Sequence, residues 1–125
     1  MKHLVKAIIK NEDKYLLLKR HFKSYFFPSQ YDFPGGKIKE GEKAEYAIIR
    51  EVKEETSLSI ELGDIIGNYN FTKLDTALHF QIFETKSFIG EVKLSEDHTE
   101  AIWVSKKDLE LYDLAPIVKL YFESI

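Results

Sequence analysis

The chain has 125 residues, 44% apolar and 31% charged, the balance expected of one water-soluble domain large enough to bury a single core. It has no cysteine, which excludes disulfides, thiolate metal sites and thiol nucleophiles. A net charge of −3 speaks against broad nucleic-acid binding. No apolar leader or membrane-length stretch is visible, so the expected location is the cytoplasm, with no membrane partner.

In chain order, two strands are expected over residues 3–10 and 14–20, joined at Asn11-Glu12-Asp13, from their apolar and β-branched content. Residues 21–30 read as a loop loaded with Phe22, Tyr25, Phe26 and Phe27. A short extended piece, Tyr31-Asp32-Phe33-Pro34, then runs into Gly35-Gly36. Ala44, Ala47, Ile48 and Val52 recur at helical period, predicting a helix over 43–56 with one face on the core. Further strands are expected over 58–72, 76–86 and Ala101–Val104. Ser105 is placed to cap a helical turn at Lys106–Glu110. Leu114, Ile117, Val118 and Tyr121 predict a closing helix. Strands and helices mixed in this way indicate a layered α+β or α/β domain.

The polar face of the central helix concentrates charge. Glu51 and Glu55 stand one turn apart, and Glu54 borders them, four residues from Arg50. Like charges at this spacing cost a helix roughly 0.2–0.5 kcal/mol per pair. They become useful when a divalent cation binds, and carboxylate oxygens are hard donors suited to Mg²⁺ or Mn²⁺. Without metal, mutual repulsion is expected to raise the pKa of at least one of the three. Residue 57, just past the helix end, is expected in the left-handed conformation that glycine favours, and a serine there costs on the order of 1 kcal/mol.

The run Gly36, Glu42, Arg50-Glu51-Val52-Lys53-Glu54-Glu55 and Leu58 resembles the box of the Nudix hydrolases, with Ser57 standing where the pattern ends in glycine. The resemblance implies a single domain over 1–125, an α+β fold built as an α/β/α sandwich, with a mixed β-sheet between helices. It implies a MutT-type enzyme using Mg²⁺ (Mn²⁺ able to substitute). The reaction is hydrolysis of a phosphoanhydride in a nucleoside triphosphate or other nucleoside diphosphate derivative, by water attack on phosphorus. It further implies a small-molecule partner and a monomer or homodimer.

Expected catalytic residues are Glu51, Glu54 and Arg50, with Arg50 pairing with Glu54 or reaching back to Glu42. Expected metal donors are Glu51, Glu54, Glu55, the Gly35 carbonyl and Asp97, with Glu100 as the competitor of Asp97 in the late acidic loop. Arg20 and Lys37 are expected to meet phosphate. Asp32 is expected to accept from a base edge, with Phe33 beside it in the substrate site. One or two of the loop aromatics are expected in the pocket, where they can stack a base. His98 reads as a loop histidine and His79 as one on a strand face. Leu114 stands where a base-reading asparagine would be expected, which argues against oxidised-purine specificity. The competing readings are a non-catalytic nucleotide-sensing domain and a hydrolase of a non-nucleotide diphosphate such as a prenyl diphosphate.

Overall fold

The computed structural model describes residues 1–125. Its strands are β1 (Lys2–Ile8), β2 (Lys10–Asn11), β3 (Lys14–Arg20), β4 (Tyr31–Asp32), β5 (Gly35–Lys37), β6 (Ser59–Lys73), β7 (Thr76–Ile89) and β8 (His98–Ser105). Helix α1 covers Ala44–Thr56 and α2 covers Pro116–Glu123, with a 3₁₀ turn at Lys106–Leu111. One sheet is mixed, in the order β5-β1-β7-β6, with β1 and β7 parallel. The other is antiparallel: β3 lies between β4 and β8 and also pairs with β2. No helix is long and apolar enough to cross a membrane.

Alternation along β1 explains why a helix covers each side. Val5 and Ala7 pack with Ala47, Ile48 and Val52 of α1, together with Leu16, Leu58 and Phe83. Ile8 faces the other way, into a second core with Phe33, Phe80, Ile82 and the α2 residues Ile117, Val118 and Phe122. Pro116 at the start of α2 supplies a φ already suited to a helix and lacks the N–H that would go unpaired there.

Most expected elements fall within a residue or two of their observed positions, and the departures have causes. β8 starts at His98 rather than Ala101 because all of β3 is available to pair with it, from Lys14 opposite Ser105 to Arg20 opposite His98. That pairing puts His98 in a strand, where it is buried, and not in a loop. The β6–β7 hairpin turns on Leu74 and Asp75 with φ of 51° and 61°, the double positive φ that matches strand twist. Helix α1 ends as expected: Ser57 has φ 69° and ψ 4°, and its N–H donates to the Lys53 carbonyl at 3.0 Å.

Candidate active site

The site grows from the seam between β5 and α1. Gly35 has φ +149°, and a Cβ there would lie 1.9 Å from the Val5 carbonyl oxygen, so only glycine fits. Its N–H donates to Glu55 Oε1 at 2.8 Å. At Gly36 a Cβ would lie 2.6 Å from the Glu51 carboxylate, so the missing side chain is the seat of that acid. Two glycines thus let two carboxylates of one helix face come down on one strand.

Both acids resist ionisation. Glu55 is 7% exposed, and burial pushes its carboxyl up to about 8, against the opposing pull of the Lys6 charge and the Gly35 N–H. Burial also raises Glu51, with Arg50 opposing it. Glu54 differs: its side chain is about half exposed, and Arg50 Nη1 at 3.2 Å is its only polar tie.

Arg50 organises this face. Nε and Nη2 grip both oxygens of Glu42 at 2.8 and 2.9 Å, Nη1 reaches Glu51 at 3.0 Å and Glu54 at 3.2 Å, and Nη2 donates to the Lys37 carbonyl at 3.2 Å. Both of the pairings expected for Arg50 are therefore present together. The Arg50 hydrogen bonds, aided by the Lys39 N–H, hold Glu42 down at about 2.

Glu51 and Glu55 line a cleft of about 300 Å³ together with Arg20, Gly35, Lys37 and Asp97. Tyr25 and Phe26 of the aromatic loop border it, while Phe27 is buried in the core. Glu54 lies off this wall. Asp97 lines the cleft, yet no three acidic or histidine side chains gather closely enough to make a ready-built ion cage. Glu100 accepts from the Tyr31 hydroxyl at 3.1 Å and is not on the cleft wall.

Two expected substrate contacts need correction. Phe33 is 1% exposed and packs edge-on against Tyr121, so it belongs to the core. Asp32 is 2% exposed, and both its oxygens are engaged by the protein. Oδ2 meets Lys6 at 2.9 Å and Arg20 at 3.5 Å, and Oδ1 takes the Phe33 N–H at 2.8 Å. These contacts make Asp32 first of all the partner of two cations, buried beside the cleft and not on its wall.

Sequence reasoning missed the buried Lys6, whose ammonium also donates to the Phe33 carbonyl at 3.3 Å. The available signal was a lone lysine inside the apolar run Val5-Lys6-Ala7-Ile8, since a buried lysine needs an acid partner. It also missed the burial of His98, which lines the cleft. Burial pushes its pKa down to about 4, with Lys6 and Arg20 adding to the shift, so the ring is neutral.

The donor chemistry suits a hard divalent cation. Burial disfavours the charged forms of Glu51 and Glu55, so a divalent cation able to take the place of their protons would be favoured there, and all the expected donors are oxygens.

Comparison with known proteins agrees with this construction. A family model described as the NUDIX domain matches residues 3–123. The chain belongs to the Nudix family, as a pyrophosphohydrolase of MutT type. It is 34% identical over 121 residues to an ADP-ribose pyrophosphatase of Methanocaldococcus jannaschii, covering 95% of this chain and 66% of that protein. It is 31% identical to the nucleoside triphosphatase NudI of Escherichia coli, over 89% of this chain and 86% of that protein. The crystal structure of a MutT protein from Methanosarcina mazei superposes with a TM-score of 0.90 at 34% identity, covering 98% of this chain and 91% of that one.

Proposed function

We propose that the protein uses Mg²⁺ to hydrolyse a phosphoanhydride bond in a nucleoside triphosphate or a related nucleoside diphosphate derivative. The observation that carries this reading is the pair Glu51 and Glu55, seated on Gly35-Gly36 at one wall of a cleft that also holds Arg20 and Lys37. The names of the relatives support it, since ADP-ribose and a nucleoside triphosphate both contain a nucleoside diphosphate. The reading includes a cytoplasmic protein, monomeric or homodimeric, without a nucleic-acid partner.

In this reading Glu51, Glu55 and the Gly35 carbonyl hold the ion, with Glu54 and Asp97 as further donors. Bound there, Mg²⁺ offsets charge on the diphosphate and lowers the pKa of the attacking water, and Mn²⁺ can replace it. Proton removal from that water falls to Glu51 or Glu54, the two helix acids that Arg50 grips. Arg50 touches no reacting atom in this scheme; it positions, holding two acids of α1 and the acid that precedes the helix. Arg20 and Lys37 bring positive charge to the cleft wall for the phosphates, and Tyr25 and Phe26 offer ring faces to the base.

The test is a hydrolysis screen with Mg²⁺ over nucleoside triphosphates, oxidised nucleotides, nucleotide sugars, dinucleoside polyphosphates and prenyl diphosphates, with Glu55→Gln in parallel. One nucleotide class cleaved far faster than the rest, and not by the variant, is the expected result. Preference for prenyl diphosphates, or equal rates with Glu55→Gln, overturns the proposal.

A further inference from the structure

Away from the cleft, the parallel pairing of β1 with β7 sets His3 directly opposite His79. Side chains of directly paired residues project from the same face of the sheet. Here Nδ1 of one ring lies 3.3 Å from Nδ1 of the other, with ring centroids 5.4 Å apart and planes at 81°. The second nitrogen of His79 is also engaged: Nε2–H donates to Asn68 Oδ1 at 3.2 Å, across to β6. That bond fixes the tautomer of His79, leaving Nδ1 a bare lone pair aimed at His3. A ring nitrogen free to ligate while the other donates to a carbonyl oxygen is the arrangement that orients histidines on metals. Two histidine nitrogens on one tetrahedral Zn²⁺, at ordinary bond lengths, stand about 3.3–3.4 Å apart.

We propose that His3 and His79 form a two-histidine site for a borderline divalent transition-metal ion such as Zn²⁺ or Co²⁺. Imidazole nitrogens select these ions over Mg²⁺, so the site is chemically distinct from the all-oxygen cleft. On binding, the proton that bridges the rings moves from His3 Nδ1 to its Nε2, and the ion takes its place between the two Nδ1 atoms. His3 is exposed, so its ring is free to tilt onto the ion, and water completes the coordination. The ion would staple β1 to β7 at one end of the mixed sheet.

The experiment titrates untagged, chelator-treated protein with Co²⁺ and Zn²⁺ in excess Mg²⁺, which competes with them for the carboxylate cleft, and with Glu55→Gln as the background for uptake there. Uptake is read from the visible absorption of Co²⁺ and from the ring ¹⁵N resonances of the histidines. The expected result is one equivalent bound, lost in His3→Ala and in His79→Ala, and roughly tenfold weaker in Asn68→Ala, where the orienting bond is gone. Folding and Mg²⁺-dependent turnover of the variants should match wild type, because none of these residues lines the cleft. Undiminished binding by His79→Ala, or ring ¹⁵N resonances of His3 and His79 that do not move, overturns the proposal.

Discussion

Replacing Glu55 with glutamine should make the metal-free protein more stable at alkaline pH while abolishing its turnover. The amide has nearly the shape of the carboxyl, and its oxygen can keep accepting the Gly35 N–H now held at 2.8 Å. What it removes is a charge that burial disfavours. The carboxyl titrates at about 8 in the fold, against 4.5 in the unfolded chain. An acid whose pKa rises on folding contributes its full stability below the unfolded value, where both states hold the proton. That contribution is lost as pH climbs from 4.5 to about 8, and it is constant above. At about 1.4 kcal/mol per pKa unit, the whole excursion is on the order of 4–5 kcal/mol. Glutamine recovers only part of it, because its NH₂ needs partners of its own and Lys6 loses a compensating charge. The expected gain is roughly 2–4 kcal/mol at about pH 9, shrinking towards zero near pH 4. Urea denaturation of both proteins in EDTA across that range measures the difference. Excess Mg²⁺ should then stabilise the wild type more than the variant, as expected of an ion that binds the folded state. If the difference in stability between the two proteins does not change with pH, Glu55 is not desolvated and the account of the site fails.

Ser57→Gly should raise the denaturation midpoint by about 1 kcal/mol of stability, since φ is 69° there, and leave turnover unchanged; a fall in midpoint refutes the strain argument. Lys6→Met should cost about 3 kcal/mol because it takes the nearer cation from the buried Asp32 carboxylate and leaves it Arg20 at 3.5 Å. Adding Asp32→Asn should return part of that loss, and strictly additive effects in a double-mutant cycle would show that the pair does not interact. Gly36→Ala puts a methyl 2.6 Å from the Glu51 carboxylate, and turnover should fall about 100-fold as that acid leaves its seat. Wild-type turnover in this variant would show that Glu51 does not act from there.

The box helix was legible because two independent patterns overlap on it. The apolar period that buries Ala47, Ile48 and Val52 fixes which face is inward, and that in turn fixes where the acids point. The helix end was legible from a local rule about left-handed residues, and Ser57 obeys it. The start of β8 was not, because in His98-Thr99-Glu100 only Thr99 favours a strand; its pairing is dictated by the partner strand β3, which no local pattern reports. Lys6 and Asp32 lie 26 residues apart, and only the pairing of β1 with β5, the strand that follows β4, brings them together. Phe33 was misread for a related reason. Its neighbours Asp32 and Pro34-Gly35 suggest a functional turn, but alternation sends its ring into the core beneath that turn.

The sharpest division in the site is one the sequence could not show, since it falls between residues of one chemical type. Glu42 and Glu55 are both glutamates of the box, yet one titrates at about 2 and the other at about 8. Glu42 has both oxygens in the fork of Arg50 and takes a backbone N–H as well, so its charge is fully answered by the protein. Glu55 has a single backbone N–H on one oxygen, and its burial is not offset by any cation in hydrogen-bond contact. Arg50 is spent on Glu42, Glu51 and Glu54, and Lys6 on Asp32. Holding Glu42 fixed serves architecture, because the clamp ties the segment before α1 to the helix. Leaving Glu55 short of positive charge opposes stability, which supports the proposal that Glu55 binds a cation from solution. On this argument the free energy lost at Glu55 in the metal-free protein is recovered when the ion binds, and the affinity for that ion should weaken in any variant that brings a protein cation to within bonding distance of Glu55.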